Sequence, residues 1–257
     1  MISHEQNGIK YYKFGTLGFS GVTQAVFTRQ GGFSQVPWNS LNLGGTVGDN
    51  PDHVERNLKL LLKTLGCGPG QLVQVRQISS ANVILVNEPM DAIYQADAMI
   101  TNTPGLLMLM RFADCVPILF VDPIKNAVGI AHAGWRGTVE QVSYHAVCAM
   151  ENNFGTNPSD LFAAIGPSIG PCHYEVGADV IERVKDTFAD NSNEILIKDK
   201  DAVKLDLWKA NTISLRKAGV EKIEISEICT GCNTEEWYSH RKEGRKTGRF
   251  AAVIGLI

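Results

Sequence analysis

Val116-Pro117-Ile118-Leu119-Phe120-Val121-Asp122-Pro123-Ile124-Lys125-Asn126-Ala127-Val128-Gly129-Ile130-Ala131 holds two apolar runs on either side of a turn. Residues 116–121 and 127–131 read as strands. Between them, Asp122-Pro123-Ile124-Lys125 sets a proline, whose φ suits a reverse turn, where the chain must double back. An antiparallel hairpin centred between Pro123 and Ile124 brings Cys115 opposite His132. Their Cα atoms then stand about 4.5–5.5 Å apart with both side chains on one face. A slip of one residue flips a face, and Pro117 predicts a weakened or bulged first strand.

Outward from the hairpin, residues 22–28, 83–86, 106–110, 162–165 and 223–228 are further short apolar or β-branched runs, mostly bounded by Gly, Pro, Asn or Asp. Apolar residues recur at helical spacing over 52–65, 138–153, 177–188 and 206–218, with Gly66 and Gly219 as C-terminal stops. Strands and helices therefore mix, which gives an α/β or α+β chain. No repeat, low-complexity tract or Pro/Ser-rich linker divides it, so residues 1–257 are expected to form one domain.

Of 257 residues, 44% are hydrophobic and 20% charged, which excludes disorder, collagen and coiled coil. A balance of 24 Lys+Arg against 27 Asp+Glu gives a net charge of −3, and bulk binding of polymeric nucleic acid or an anionic membrane has no support. The N-terminal residues lack a basic stretch followed by an apolar core, and no apolar run nears a membrane span, so a cytoplasmic location is expected. Without a secretory signal, the six cysteines are better read as buried thiols plus one reactive or metal-binding site than as a disulfide framework. Cys67 and Cys148 look structural, as do His4, His53 and His145. Cys229-Thr230-Gly231-Cys232 has redox-like spacing without the helix that such chemistry uses.

Around the hairpin stand Arg111-Phe112-Ala113-Asp114-Cys115-Val116-Pro117 and His132-Ala133-Gly134-Trp135-Arg136-Gly137-Thr138. These segments resemble the A-D-C-x-P and H-A-G-W-R-G motifs of the polyphenol oxidoreductase laccase family, whose members are understood as purine nucleoside phosphorylases and adenosine deaminases. The resemblance extends over most of the chain. It takes in Phe27-Thr28-Arg29, Leu41-Asn42-Leu43-Gly44, the run from Gly166 to Gly177 with Cys172-His173-Tyr174, Cys229-Thr230, Tyr238-Ser239-His240-Arg241 and Thr247-Gly248-Arg249. It implies a layered sandwich of mixed β-sheets covered by helices. It also implies a zinc ion held by Cys115, His132 and a histidine from a Q-x-H-[GS] motif.

That motif stands here as Gln77-Ile78-Ser79-Ser80, with Ser79 where the ligand histidine belongs. A neutral hydroxyl is a poor zinc ligand, and two protein ligands remain where a catalytic site has three plus water. Zinc binding is expected to be weakened. Three readings of Ser79 stay open: a substitution introduced to disable the site, a natural variant recruiting Cys172 or His173, or a protein that has left the chemistry.

In an active site of this kind, zinc supplies hydroxide for attack at C6 of adenosine or polarises a departing purine. Cys115, His132, His173 and Arg136 are the candidate catalytic residues. Arg136, ahead of a helix start, suits phosphate or a surface ion pair. Arg29, Asn42, Arg249 and Cys172 are candidate substrate contacts, although Asn42 suits a turn equally well. Asp114 alternates to the face opposite Cys115. The expected partners are purine nucleosides (adenosine, inosine, guanosine, methylthioadenosine) and phosphate. Copper is the less fitting metal, since six histidines without a His-x-His pair cannot furnish a multicopper set. A thiol hydrolase built on Cys115 and His132, linked to cell-wall precursor editing, and a nucleoside-binding protein without turnover are the alternatives.

Overall fold

The apolar runs become strands, and the computed structural model describes residues 1–89 and 93–257. In chain order the strands are β1 (Ile2–Gln6), β2 (Ile9–Lys13), β3 (Val22–Phe27), β4 (Leu72–Gln74), β5 (Val83–Leu85), β6 (Ala98–Thr101) and β7 (Leu106–Phe112). There follow β8 (Val116–Asp122), β9 (Ala127–Ala133), β10 (Phe162–Ile165), β11 (Leu196–Asp199), β12 (Ala202–Leu205), β13 (Lys222–Ile225) and β14 (Phe250–Leu256). The helices are α1 (Pro51–Leu65), α2 (Trp135–Val139), α3 (Val142–Phe154), α4 (Ala178–Phe188), α5 (Ser192–Ile195), α6 (Leu207–Lys217) and α7 (His240–Glu243).

Two six-stranded sheets dominate, in the orders β1-β2-β3-β14-β7-β4 and β13-β10-β8-β9-β6-β5, with β11-β12 a separate ribbon. Both sheets are mixed: β4 runs parallel to β7, β5 to β6 and β10 to β13, while the other pairs are antiparallel. Alternation along the strands explains the layers. Met108, Met110, Ala252 and Ile254 of the first sheet meet Leu119, Val121, Val128 and Ile130 of the second in one core. On the outer face of the second sheet, Ile118, Phe120 and Ala131 pack under Val142, Ala146 and Met150 of α3, with α4 and α6 beside them. Leu107, Leu109 and Val253 face the opposite way, onto Leu61 and Leu62 of α1. The implied sandwich of mixed sheets covered by helices is the fold.

The hairpin forms with a different turn. Asp122 pairs with Ala127, and its Oδ1 accepts from the N–H groups of Ile124 at 2.9 Å and Lys125 at 3.0 Å. Asn126 stays in the turn at φ 48°. The loop is therefore centred one residue later than expected, and Pro117, not Cys115, lies opposite His132. Because this moves the pairing by two residues along the partner strand, the face is kept: Cys115 is level with Gly134 and diagonal to His132. Nor does Pro117 bulge the strand, since the β8–β9 register runs unbroken from Val116 to Asp122.

The helical stretch expected over 138–153 is two helices. Gln141 takes a left-handed conformation at φ 57° between α2 and α3, and the break lets Val139 and Val142 both reach the core. Helix α1 follows its sequence signals: the Asn50 side chain caps the Asp52 N–H, Pro51 opens the first turn, and Gly66 closes the last at φ 70°.

Candidate active site

Asp97 organises one wall. It is fully buried between the apolar neighbours Ala96 and Ala98, so its charge must be met by donors. Its Oδ1 lies 2.8 Å from Nδ1 of His132 and accepts from the Ser79 N–H at 3.0 Å. Its Oδ2 accepts from the Ile78 N–H at 3.1 Å and from the N–H and hydroxyl of Ser80 at 2.7 and 2.8 Å. One carboxylate thus shapes the Ile78–Ser80 turn and holds His132, whose backbone N–H also donates to the Asp97 carbonyl at 2.7 Å. Burial opposes charge on Asp97, but these donors outweigh it and its carboxyl stays below the usual range.

With Nδ1 committed to Asp97, Nε2 is the imidazole nitrogen left for chemistry. Burial disfavours the imidazolium, yet the neighbouring Cys115 and the hydrogen-bonded Asp97 together push His132 up to about 9. Cys115 sits just ahead of β8 because Asp114 turns the chain at φ 84°. The Asp114 carboxylate is held by the hydroxyls of Thr230 and Ser239, both at 2.7 Å, and by the Arg241 N–H at 2.6 Å. A Cβ on Gly134 would stand 2.9 Å from the Cys115 sulfur, so glycine there leaves room for the thiol.

Cys115, His132 and Ser79 line an open cleft of about 1080 Å³. Arg76, Arg111, Arg241 and Arg249, with His240, bring positive charge to the same cleft. Arg111 is tied to the framework by the Leu43 carbonyl and the Gln74 side chain. Nη1 of Arg249 donates to the carbonyls of Thr247 and Gly248 at 3.0 and 2.8 Å, and Nη1 of Arg241 to that of Glu175 at 2.8 Å. These bonds fix the guanidinium groups while leaving other nitrogens of Arg241 and Arg249 for an anion.

The remaining candidates stand elsewhere. Arg29 is buried and donates to the Asn39 and Thr234 carbonyls and to Glu243, a structural pin rather than a cleft contact. Asn42 is also buried: it accepts from the Gly44 and Arg249 N–H groups at 2.9 and 2.8 Å and donates to Asp49, so it places Arg249 instead of touching a ligand. Arg136 is exposed over the Trp135 ring, outside the cleft lining but close enough to act electrostatically on Tyr174, which does line it. Cys172 and His173 gather with Cys229 and Cys232 and do not line the cleft, so neither replaces the ligand missing at Ser79.

The residues do not fit the zinc site that the resemblance implies. One thiolate, one imidazole and a neutral hydroxyl make two strong donors where a catalytic zinc takes three from the protein. Sequence reasoning missed Asp97, Arg76, His240 and Arg241 as cleft or supporting residues. Asp97 had a signal, a lone carboxylate inside the apolar run Ala96-Asp97-Ala98-Met99-Ile100; Arg241 and His240 stood in a quoted motif with no role assigned.

Residues 23–257 match the family described as multi-copper polyphenol oxidoreductase laccase. The purine nucleoside phosphorylase YlmD of Geobacillus stearothermophilus is 35% identical, over 98% of this chain and 96% of that protein. The purine nucleoside phosphorylase YfiH of Escherichia coli K12 is 38% identical over 92% and 95%. The crystal structure of YlmD from Geobacillus stearothermophilus superposes with a TM-score of 0.91 at 34% identity, over 98% of this chain and 97% of that one. The chain belongs to this family. Its curated relatives carry the name purine nucleoside phosphorylase rather than that of an oxidase.

Proposed function

We propose that the cleft binds a purine nucleoside with inorganic phosphate and catalyses phosphorolysis, slowly as the chain stands. The observation that carries this reading is an imidazole oriented by a buried carboxylate in a cleft shared with four arginines. Arg241 and Arg249 would hold phosphate by charge-assisted hydrogen bonds. A phosphate oxygen bonds to C1′ as the N-glycosidic bond breaks, and its electron pair leaves with the purine, which takes a proton from Nε2 of His132. Ribose 1-phosphate and free base are the products. His173, a catalytic candidate on sequence, does not line the cleft, so the proton donor in this reading is His132.

Hydrolytic deamination of adenosine needs an activated water, and the two-donor set at Ser79, Cys115 and His132 is a poor holder of the metal that would supply it. Deamination is accordingly the activity most impaired by Ser79. Phosphate and nucleoside are cytoplasmic metabolites, and the reading carries that location; no helix among the described residues is long and apolar enough to cross a membrane.

Chromatography of adenosine, inosine, guanosine and methylthioadenosine incubated with and without phosphate tests the proposal. Base release that requires phosphate, with no inosine from adenosine, is expected. Ser79→His is expected to raise zinc held at the cleft toward one per chain and turnover with it, as a third strong ligand should. Base release indifferent to phosphate, or none from either protein, would overturn the reading.

A second reading rests on one arrangement. Cys115, His132 and Asp97 stand in the order of nucleophile, base and orienting group that a thiol hydrolase uses. Iodoacetamide should abolish a metal-free hydrolytic activity under this reading, and activity surviving alkylation would dismiss it.

A further inference from the structure

Two loops far apart in the chain converge beside the cleft wall. In the first, the His173 N–H donates to the Gly170 carbonyl at 3.0 Å and turns Cys172 and His173 outward. In the second, the Cys232 and Asn233 N–H groups both reach the Cys229 carbonyl at 3.2 Å, the tight turn of a C-x-x-C knuckle. A bridge between Ser168 and Cys229 joins the two. Their ligand atoms lie within 4.8 Å of one another, in the one such grouping of His, Cys, Asp and Glu found among the described residues.

The spacing is that of a coordination shell. Nδ1 of His173 stands 3.3 Å from the Cys172 sulfur, 3.4 Å from Cys232 and 3.6 Å from Cys229, and the Cys172 and Cys232 sulfurs are 3.5 Å apart. A tetrahedral zinc with bonds of about 2.3 Å to sulfur and 2.0–2.1 Å to nitrogen has S···N edges of about 3.6 Å and S···S edges of about 3.8 Å. Without a cation, three thiols and an imidazole share one small volume with only weak donors and acceptors among them. A disulfide would join two sulfurs at about 2.05 Å and leave the third thiol and the imidazole unexplained.

Two supporting contacts are what a ligand shell requires. The Gly170 N–H donates to the Cys229 sulfur at 3.2 Å, the backbone bond that stabilises a thiolate. Gly231 lies against the His173 ring, where a Cβ would come within 3.1 Å of Cγ, and this packing holds Nδ1 toward the sulfurs. Cys229 is buried, His173 half-buried, and Cys172 and Cys232 exposed, so an ion has a path in from solvent.

We propose that Cys172, His173, Cys229 and Cys232 form a zinc site separate from the active-site cleft. Soft sulfur with one nitrogen selects zinc among the common divalent ions, and four protein ligands leave no open position, so the site is structural. Its place explains its use. Tyr174, next to the ligand His173, lines the cleft, and Thr230, inside the knuckle, donates to the Asp114 carboxylate that aims Cys115. The ion would staple the loops that carry one wall of the cleft.

The full-length protein, purified under reducing conditions, should hold about one zinc per chain. Its X-ray absorption shell should show three sulfurs near 2.3 Å and one nitrogen near 2.0–2.1 Å. Cys172→Ser and Cys232→Ser should lose the ion, while Cys115→Ser keeps it, and a chelator should lower the melting temperature of the parent. The absorption measurement needs no variant, so it decides the matter even if the serine proteins misfold. A zinc lost with Cys115→Ser, a shell with a single sulfur, or metal-free protein that takes up no added zinc would overturn the proposal, as would a Cys172–Cys232 disulfide persisting under reduction. The outcome is independent of nucleoside turnover.

Discussion

Asp97→Asn separates the carboxylate's charge from its shape. The parent carboxylate meets five donors, two at Oδ1 and three at Oδ2. An asparagine has one acceptor oxygen, best placed at the Oδ2 position, where the Ile78 and Ser80 N–H groups cannot become acceptors. Its amide nitrogen then faces the Ser79 N–H, which is left unpaired, and Nδ1 of His132, which can adapt only by accepting. The imidazole is thus driven to the Nε2–H tautomer, and its raised proton affinity falls. An orphaned N–H costs about 1–3 kcal/mol, and the surviving bonds lose the extra strength that the charge gave them, so a total of about 3–4 kcal/mol is expected. Urea unfolding at pH 7 measures the loss, and nitrogen-labelled histidine spectra report the tautomer. A variant within about 0.5 kcal/mol of the parent, or one that keeps Nδ1–H, would refute the role given to Asp97.

Three further outcomes are expected. With His132 pushed up to about 9, its proton and the Asp97 ion pair persist from the ordinary histidine range up to that value, so phosphorolysis and the pair's stabilisation should both fall as pH rises through about 9; a rate–pH profile with no such limb would remove His132 as the donor. Arg249→Ala should raise KM for phosphate about tenfold, the loss of one charged hydrogen bond, while Arg136→Ala changes it less than about twofold; the reverse order in steady-state kinetics would move phosphate to the start of α2. Arg29→Ala should cost about 2–4 kcal/mol in denaturant melts and leave nucleoside KM unchanged, because Arg29 pins Thr234 and Glu243; a raised nucleoside KM would return it to the pocket.

Local signals in the sequence were sufficient where the physics is local. Asn50, Pro51 and Gly66 bracket α1 because capping acts within a turn, and the wholly apolar halves of β8 and β9 announce a hairpin. The register was misplaced by one turn residue, because the backbone bonds that Asp122 makes to residues 124 and 125 are side-chain chemistry that a hydrophobic pattern does not carry. β14 escaped notice although Phe250-Ala251-Ala252-Val253-Ile254-Gly255-Leu256 is apolar throughout, and Gln141 gave no warning of the break in the expected helix. Cys115 and His132 were legible as a pair because they share a hairpin. The cysteine cluster was not, since the partners of Cys229 and Cys232 lie more than fifty residues earlier and only the folded β-framework brings the loops together.

The placing of β14 between β3 and β7 bears on how the chain is made. On the ribosome β3 emerges before β7, and each then presents an unpaired edge toward a gap that only β14 can fill. Until Phe250–Leu256 arrives, the nascent protein carries two open apolar edges, the state in which strands recruit the wrong partners. The same strand delivers Arg249 to the cleft, so binding capacity and relief from aggregation should appear together, once β14 has left the ribosome.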